Sequence, residues 1–266
     1  MKKYLTVFQL SFQNEFTYRL NFILWRFRNV LRILMTYFLW NSIFSQNKIA
    51  FGYTKEQMMA YVFCVLVVLS FVVSAPSNDN MGGEISSGDL SNFLVKPINY
   101  INYWLTRDWA SKLLNILFSF LEIGILWFIM WPSLQIVTNP VQILVAIIAS
   151  VIAVFTYFYF SKLAVFVAFW APENTWTAMF MILVFLEILS GAIFPLNILP
   201  HFFYNLVQFT PFPFLVYFPI GILVGKFSLS ESLLILLKSS SWLVFSYSMS
   251  RLMWRSGLKV YSASGK

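Results

Sequence analysis

Two glutamates stand in otherwise apolar sequence and have the clearest potential for chemistry in this chain. Glu122 lies in the apolar stretch 109–130, and Glu187 lies in the stretch 174–194. An ionised side chain at the centre of a membrane helix has an insertion penalty of roughly 2.5 to 3.5 kcal/mol. We therefore expect both glutamates to face a protein interior. There they would either contact a cationic or polar substrate or form hydrogen bonds between helices.

Residue sets typical of catalytic or metal sites are missing from the sequence. There is one cysteine, Cys64, and one histidine, His201, whereas a metal cage or a disulfide needs at least two suitable ligands. The segment 221–227 reads GILVGKF, which has too few residues between its glycines for a phosphate-binding loop and no Ser or Thr after its lysine. It matches the Gly-x-x-x-Gly pattern of closely packed helices instead. We predict no catalytic residue, metal ligand or cofactor in this chain, which disfavours a membrane-embedded enzyme.

The composition indicates an all-α, polytopic integral membrane protein. Hydrophobic residues make up 59% of the chain and charged residues 11%, and the mean hydropathy is +0.74. A globule of 266 residues cannot bury that much apolar surface. The net charge of +8 does not indicate nucleic-acid binding, because the basic residues lie beside apolar segments rather than in one patch.

Hydropathy and helix breakers predict six transmembrane helices in a single transmembrane domain. The predicted spans are 22–44, 57–76, 109–130, 141–168, 174–194 and 231–250. In the first span, we expect Arg26, Arg28 and Arg32 to extend toward the nearer membrane surface, as we do for Lys162 in the fourth. Five prolines divide residues 195–230 into pieces of about ten residues, which are too short to cross a bilayer. This region is predicted to form short re-entrant or interfacial helices on the outer side.

The first residues of the chain predict an amphipathic helix over 4–20 that lies in the membrane interface. Its aromatic and apolar residues recur at four-residue steps, at Tyr4, Phe8, Phe12, Phe16 and Leu20. The alternative is that these residues form the first turns of a long first span. Six spans place both termini on one side with most of the 18 Lys and Arg. We therefore predict a multi-pass protein of a bacterial cell membrane with both termini in the cytoplasm.

Residues 77–108 form a long polar connection that this topology places in the cytoplasm. Asp89 is predicted to cap a short helix over residues 90–95, which Pro97 ends. Leu90, Phe93 and Leu94 would share one face of that helix. They would either fill a groove on a partner protein or lie against the ends of neighbouring helices.

In the order of these elements, the chain resembles the membrane subunits of ATP-binding-cassette exporters of the type-2 class, ABC-2. The resemblance rests on the N-terminal helix, the six spans, and two segments that read GEISSGDLSNFLVKPIN after the second span and LSGAIFPLNILPHFFYNLVQFTPFPFLVYFPIGILVGK after the fifth. It implies that the first segment holds a coupling helix that docks on a separate ATPase. It implies that the second forms a small helical cap on the outer side. The candidate coupling residues are Glu84, Gly88, Asp89, Leu90, Phe93, Leu94 and Lys96.

The resemblance predicts a permease subunit of an exporter. Together with a second permease subunit, identical or related, it would enclose the path of a hydrophobic or amphipathic substrate such as a drug or a lipid. ATP and Mg would be bound by separate ATPase subunits, and the other partners would be membrane lipid but not nucleic acid. The alternative is a proton-coupled secondary transporter that uses Glu122 and Glu187. Such a transporter would be expected to show internal repeats, and none is evident.

Overall fold

The computed structural model describes residues 2–15, 19–46, 48–75 and 77–262. Helices account for 81% of the chain, so the predicted all-α class is confirmed at that level. In the described residues, the α-helices are α1 Lys2–Glu15, α2 Arg19–Gln46, α3 Lys55–Val72, α4 Ser77–Ser87, α5 Leu90–Leu94, α6 Tyr100–Met130, α7 Pro140–Val165, α8 Thr175–Leu189, α9 His201–Val207, α10 Tyr217–Leu223 and α11 Leu229–Val260. A small antiparallel hairpin, β1 Ile49–Ala50 and β2 Tyr53–Thr54, connects α2 to α3.

Side-chain caps explain where several long helices begin. Thr54 and Gln57 form a reciprocal capping box at the start of α3, and Ser228 and Glu231 form another at the start of α11. The side chain of Asn99 accepts a hydrogen bond from the backbone at the start of α6. This cap lies within the predicted polar connection, and α6 consequently begins nine residues before the predicted span 109–130.

Helix α3 is the central element of the bundle. Its side chains from Met58 to Val72 are largely buried against α2, α6, α7 and α10. The main core joins α3 and α7 to the buried residues of 211–224. A second core lies at the other end of the bundle and includes Met81, Leu90 and Trp104.

Three of the described helices are long and apolar enough to cross a membrane. These are α3, α6, and α7 with its continuation to Phe169, and a fourth is possible if the bent pair formed by α9 and Phe212–Leu223 counts as one span. Helices α2 and α11 are long, but arginines and serines interrupt their apolar sequence. Helix α8 has 15 residues. The predicted total of six spans is therefore supported for three helices by length and composition.

Residues 195–227 leave and return to the same end of the bundle. Asn197 accepts a hydrogen bond from the hydroxyl of Tyr53 at 2.9 Å, and Lys226 donates to the carbonyl of Gly52 in the same hairpin. The helical pieces between them are bent by 78° relative to one another. Gly221 packs so closely on the ring of Phe227 that a Cβ would clash. Gly221, the first glycine of the Gly-x-x-x-Gly pattern, therefore allows close packing within the chain.

The described ends of the chain meet at the opposite end of the bundle. Helix α1 packs along α6, and Lys3 donates to the carbonyl of Pro97 at 2.6 Å. The hydroxyl of Tyr261, just after α11, donates to the carbonyl of Gly88 at 2.6 Å. Both ends of the chain therefore contact the predicted coupling loop. The predicted helix 4–20 corresponds to α1 as far as Glu15, and its residues 16–18 lie outside the described residues.

Candidate functional site

Arg26 and Glu122 form a buried ion pair between α2 and α6. The Nε of Arg26 lies 2.6 Å from Oε1 of Glu122, and its Nη2 contacts Oε2, so the contact is bidentate. The remaining donors reach Ser70 Oγ at 3.3 Å, Ser119 Oγ at 3.1 Å, and the backbone and side-chain oxygens of Asn115 at 3.3 Å. The two charged side chains are only 6% and 11% exposed. Every nitrogen of this guanidinium therefore has a partner.

This pair corrects the expectation that Arg26 extends to the membrane surface. A bidentate partner and three further polar residues satisfy the guanidinium within the bundle, so it has no need to reach solvent. Glu122 occupies the position of a helix–helix contact, which was the alternative to substrate binding.

Arg32 and Glu187 form a second ion pair, which is open on one side. Nη1 of Arg32 lies 3.2 Å from both carboxylate oxygens of Glu187, so α2 is joined to α8. The side chains are 32% and 41% exposed. The other terminal nitrogen, Nη2, is buried and has no hydrogen-bond partner in the described part of the chain. Arg32 is therefore also paired within the bundle, contrary to our expectation, but its donors are not all satisfied.

The Arg32–Glu187 pair lines a groove between α2, α3 and α8. The groove has a volume of about 200 Å³. Its polar side is formed by Arg28, Asn29, Ser70 and the pair itself, and its apolar side is formed by Trp25, Ile33, Val65, Leu66, Leu69, Val73, Leu183 and Leu186. Arg28 is exposed and has no acidic partner in the described residues. The groove is thus amphipathic, with two cations against one anion.

The predicted coupling residues of α5 do not share one exposed face. Leu90 is 0% exposed and lies in the core with Tyr100 and Trp104. Phe93 packs against Tyr100 with ring centroids 5.3 Å apart. Leu94 is 47% exposed, and Val95, which follows α5, is 84% exposed. Leu90 therefore lies against neighbouring helices, and the outward apolar surface consists of Leu94 and Val95.

The predicted cap by Asp89 is wrong. Its carboxylate accepts from Ser87 Oγ at 2.7 Å and from Asn92 Nδ2 at 3.4 Å, but from no backbone amide of α5. The reason is the backbone of Asp89, which is already helical and cannot direct its side chain onto the first turn. Gly88 turns the chain between α4 and α5 with φ of 86°, a conformation that favours glycine.

The coupling segment, residues 84–97, is fastened to two long helices. Glu84 accepts from the Tyr100 hydroxyl at 2.5 Å and from Trp104 Nε1 at 3.2 Å, both on α6. The Tyr261 hydroxyl accepts from the amide of Ser91 at 3.1 Å and donates to Gly88. Burial raises the pKa of the Glu84 carboxyl, although the two donors oppose that effect. Lys96 lies over the ring of Phe93, 5.1 Å from its centroid.

Buried charges hold the break between α3 and α4, which precedes this segment in the chain. Lys112 donates to the carbonyl of Val72 at 2.9 Å and to that of Ser74, at the end of α3. Asp108 accepts from the amide of Ser77 at 2.9 Å, at the start of α4. Lys162 donates to Ser77 Oγ at 2.5 Å, so the expectation that it extends to the membrane surface is wrong. These charges satisfy helix ends that would otherwise lack partners.

Sequence reasoning found the two glutamates but not their partners. Arg26 and Arg32 lie in an apolar stretch, and so do Glu122 and Glu187. Opposite charges in separate apolar segments could have suggested that they neutralise one another. The roles of Asp108, Lys112 and Tyr261 had no such signal, because their contacts depend on how the helices pack.

Comparison with known proteins agrees with this architecture. Residues 30–265 match the family model described as ABC-2 family transporter protein. The matched part covers most of α2 and all of α3 to α11. It includes Glu122, both members of the Arg32–Glu187 pair and the whole coupling segment, but not Arg26. No curated protein matches the chain. Since the family model covers far more than half of the sequence, the chain belongs to the ABC-2 family of transporter proteins.

Proposed function

We propose that the chain is the permease subunit of an ABC exporter. Two permease subunits, identical or related, would enclose a path for a hydrophobic or amphipathic substrate, and separate ATPase subunits would power transport. Helices α2, α3, α6, α7, α8 and α11 would be the six spans in a bacterial cell membrane. The contacts of Lys3 and Tyr261 with the coupling segment support a topology with both ends of the chain on the cytoplasmic side.

The observation that carries the proposal is an exposed apolar edge on a firmly held segment. Leu94, at the end of α5, and Val95, which follows it, are exposed, whereas Leu90 and Phe93 attach α5 to the bundle. Apolar side chains exposed beside an ordered polar loop are typical of a protein interface. We infer that an ATPase binds at Leu94, Val95 and Lys96.

The same contacts provide a route for movement. Displacement of the segment would act on α6 through Glu84 and on α11 through Tyr261. It would act on the second predicted span through the charged contacts between α3 and α4. ATP-driven closure of the ATPases would thereby change the packing of the helices that surround the substrate path.

The proposal is tested with the double variant Leu94→Ala, Val95→Ala, co-expressed with the ATPase subunit. Truncation of two apolar interface residues should weaken ATPase association by roughly tenfold or more, while membrane insertion is unchanged. Val260→Ala is the matched control, because Val260 is exposed near the same end. Leu90→Ala should instead lower the yield of folded protein. Normal ATPase association and transport in the double variant would exclude this edge as the docking surface.

A further inference from the structure

The groove between α2, α3 and α8 has a net positive charge. Arg28 and Arg32 lie one helical turn apart, about 6 Å along the axis of α2, and so face nearly the same direction. Glu187 neutralises at most one of them. Among the described residues, Arg28 has no acidic partner and Nη2 of Arg32 has no hydrogen-bond acceptor. Two guanidinium groups so placed can share one phosphate or carboxylate.

The remainder of the groove suits a hydrocarbon chain. Val65, Leu66 and Leu69 of α3 face Leu183 and Leu186 of α8 across it. Trp25 lies beside the cationic end, with its ring 5.9 Å from the Arg28 guanidinium. A ligand with an anionic head group and an apolar tail would therefore match both parts of the lining.

We propose that this groove binds an amphiphile with an anionic head group, with Arg28 and Arg32 holding the head group and α3 and α8 contacting the tail. The assignment of this amphiphile as the transported substrate rests on the proposed function. Its binding to the groove does not depend on that function. Arg32 lies near the middle of α2, roughly 20 Å from either end of the helix. A resting bilayer lipid keeps its phosphate near the surface, so this depth favours a lipid in transit.

Glu187 has a distinct role in this proposal. It occupies part of the guanidinium of Arg32 and thereby competes with an anionic ligand. Removal of its charge should increase the affinity for anions. If Glu187 instead served to bind a cationic group, removal of its charge would weaken the binding of a ligand that carries one, such as the choline head group of phosphatidylcholine. The lipid whose binding changes therefore distinguishes the two roles.

The test measures binding of phosphatidylglycerol and phosphatidylcholine with the same acyl chains to the purified full-length chain, by native mass spectrometry. The wild-type chain should prefer phosphatidylglycerol. Arg28→Gln should weaken that binding by roughly tenfold, since one charge-assisted contact to phosphate is lost. Glu187→Gln should strengthen it several-fold. Lys238→Gln, which removes the cation beside a different apolar groove lined by Phe209 and Trp242, is the matched control and should have no effect.

Three results would overturn the proposal. They are equal binding of the two lipids, weaker phosphatidylglycerol binding by Glu187→Gln, and an equal loss of binding in Lys238→Gln. A second arm uses the complete complex and measures stimulation of ATP hydrolysis by each lipid. Preferential stimulation by phosphatidylglycerol would support the assignment as substrate. Binding to the chain without any stimulation of an active complex would overturn that assignment but leave the proposed function intact.

Discussion

Arg26 and Arg32 differ in their surroundings, although both lie on α2 and both pair with a glutamate of another helix. They are six residues apart, so their side chains leave the helix in directions about 120° apart. Arg26 enters the bundle, where Glu122 and three further residues satisfy it. Arg32 enters a groove, where one nitrogen contacts Glu187 and another has no partner in the described residues. Both pairs join helices, but only the Arg32–Glu187 pair retains a buried donor without a partner in the described residues.

The energetic reason is the cost of removing charges from water. A buried ion pair is tolerated only when its remaining hydrogen-bonding groups are also satisfied, and loss of one member leaves a charge without compensation. A partly exposed pair contributes little and can be replaced cheaply. A ligand could therefore displace Glu187 from Arg32 far more readily than Glu122 from Arg26.

The largest effect is expected for Arg26→Gln. It would leave Glu122 buried without a cation, a change that typically costs about 3 to 5 kcal/mol. We expect a severe loss of folded protein, measured as the monodisperse fraction in detergent after membrane extraction. Arg28→Gln is the control, because it removes an exposed arginine two residues away. Normal yield and thermal stability of Arg26→Gln would contradict a structural role for this pair.

Removal of both charges should have a smaller effect than removal of one. The double variant Arg26→Met, Glu122→Gln leaves no charge at this site, and paired replacements of this kind are often close to neutral. We expect it to recover most of the folded yield lost in Arg26→Gln. The measurement is a double-mutant cycle of thermal stability with Arg26→Met and Glu122→Gln as the two single variants. Additive losses would show that the two residues act independently.

For the second pair, we expect Glu187→Gln to change transport more than stability. The pair is partly exposed, so its loss should cost less than about 1 kcal/mol. Folded yield should remain near the wild-type level. Transport of an anionic amphiphile should rise, whereas transport of a cationic substrate should fall. A loss of folded protein equal to that of Arg26→Gln would remove the distinction between the two pairs.

The sequence predicted the order of elements better than the contacts between them. Long apolar stretches around 57–76, 109–130 and 141–168 correspond to helices that could span a membrane. Pro211 and Pro213 lie between the short helices α9 and α10, whereas Pro219 lies within α10 and does not divide it. The predicted directions of the Arg26, Arg32 and Lys162 side chains were wrong for the same reason. Hydropathy considers each helix alone in lipid, whereas the hydrogen-bond donors of these side chains find acceptors on other helices. Leu90 and Leu94 were likewise assigned to one face, because the spacing alone does not show which side of α5 meets the bundle.

Glu84 differs from Glu122 and Glu187 in that neutral donors hold its carboxylate rather than a cation. It accepts from Tyr100 and Trp104 and lies outside the predicted spans. Because burial raises its pKa above the ordinary value of 4.5, the folded state binds more protons than the unfolded state over that interval. The contribution of Glu84 to stability is therefore present below about pH 4.5 and is lost as the pH rises through the folded-state pKa.

The smallest effect is therefore expected for Glu84→Gln, and it should depend on pH. Glutamine cannot titrate, so the variant should lack the part of the pH dependence that Glu84 contributes. After allowance for solvent screening of a half-buried group, the difference should be less than about 1 kcal/mol. Thermal unfolding of the wild type and the variant from mildly acidic to neutral pH gives the measurement. Glu173→Gln is the control, since Glu173 is exposed at the same end of the bundle, in the turn before α8. Identical pH profiles for Glu84→Gln and the wild type would show that solvent, rather than burial, determines the protonation of Glu84. A wild type that gains stability relative to Glu84→Gln as the pH rises would reverse the sign and show that the hydrogen bonds from Tyr100 and Trp104, rather than burial, dominate at this carboxylate.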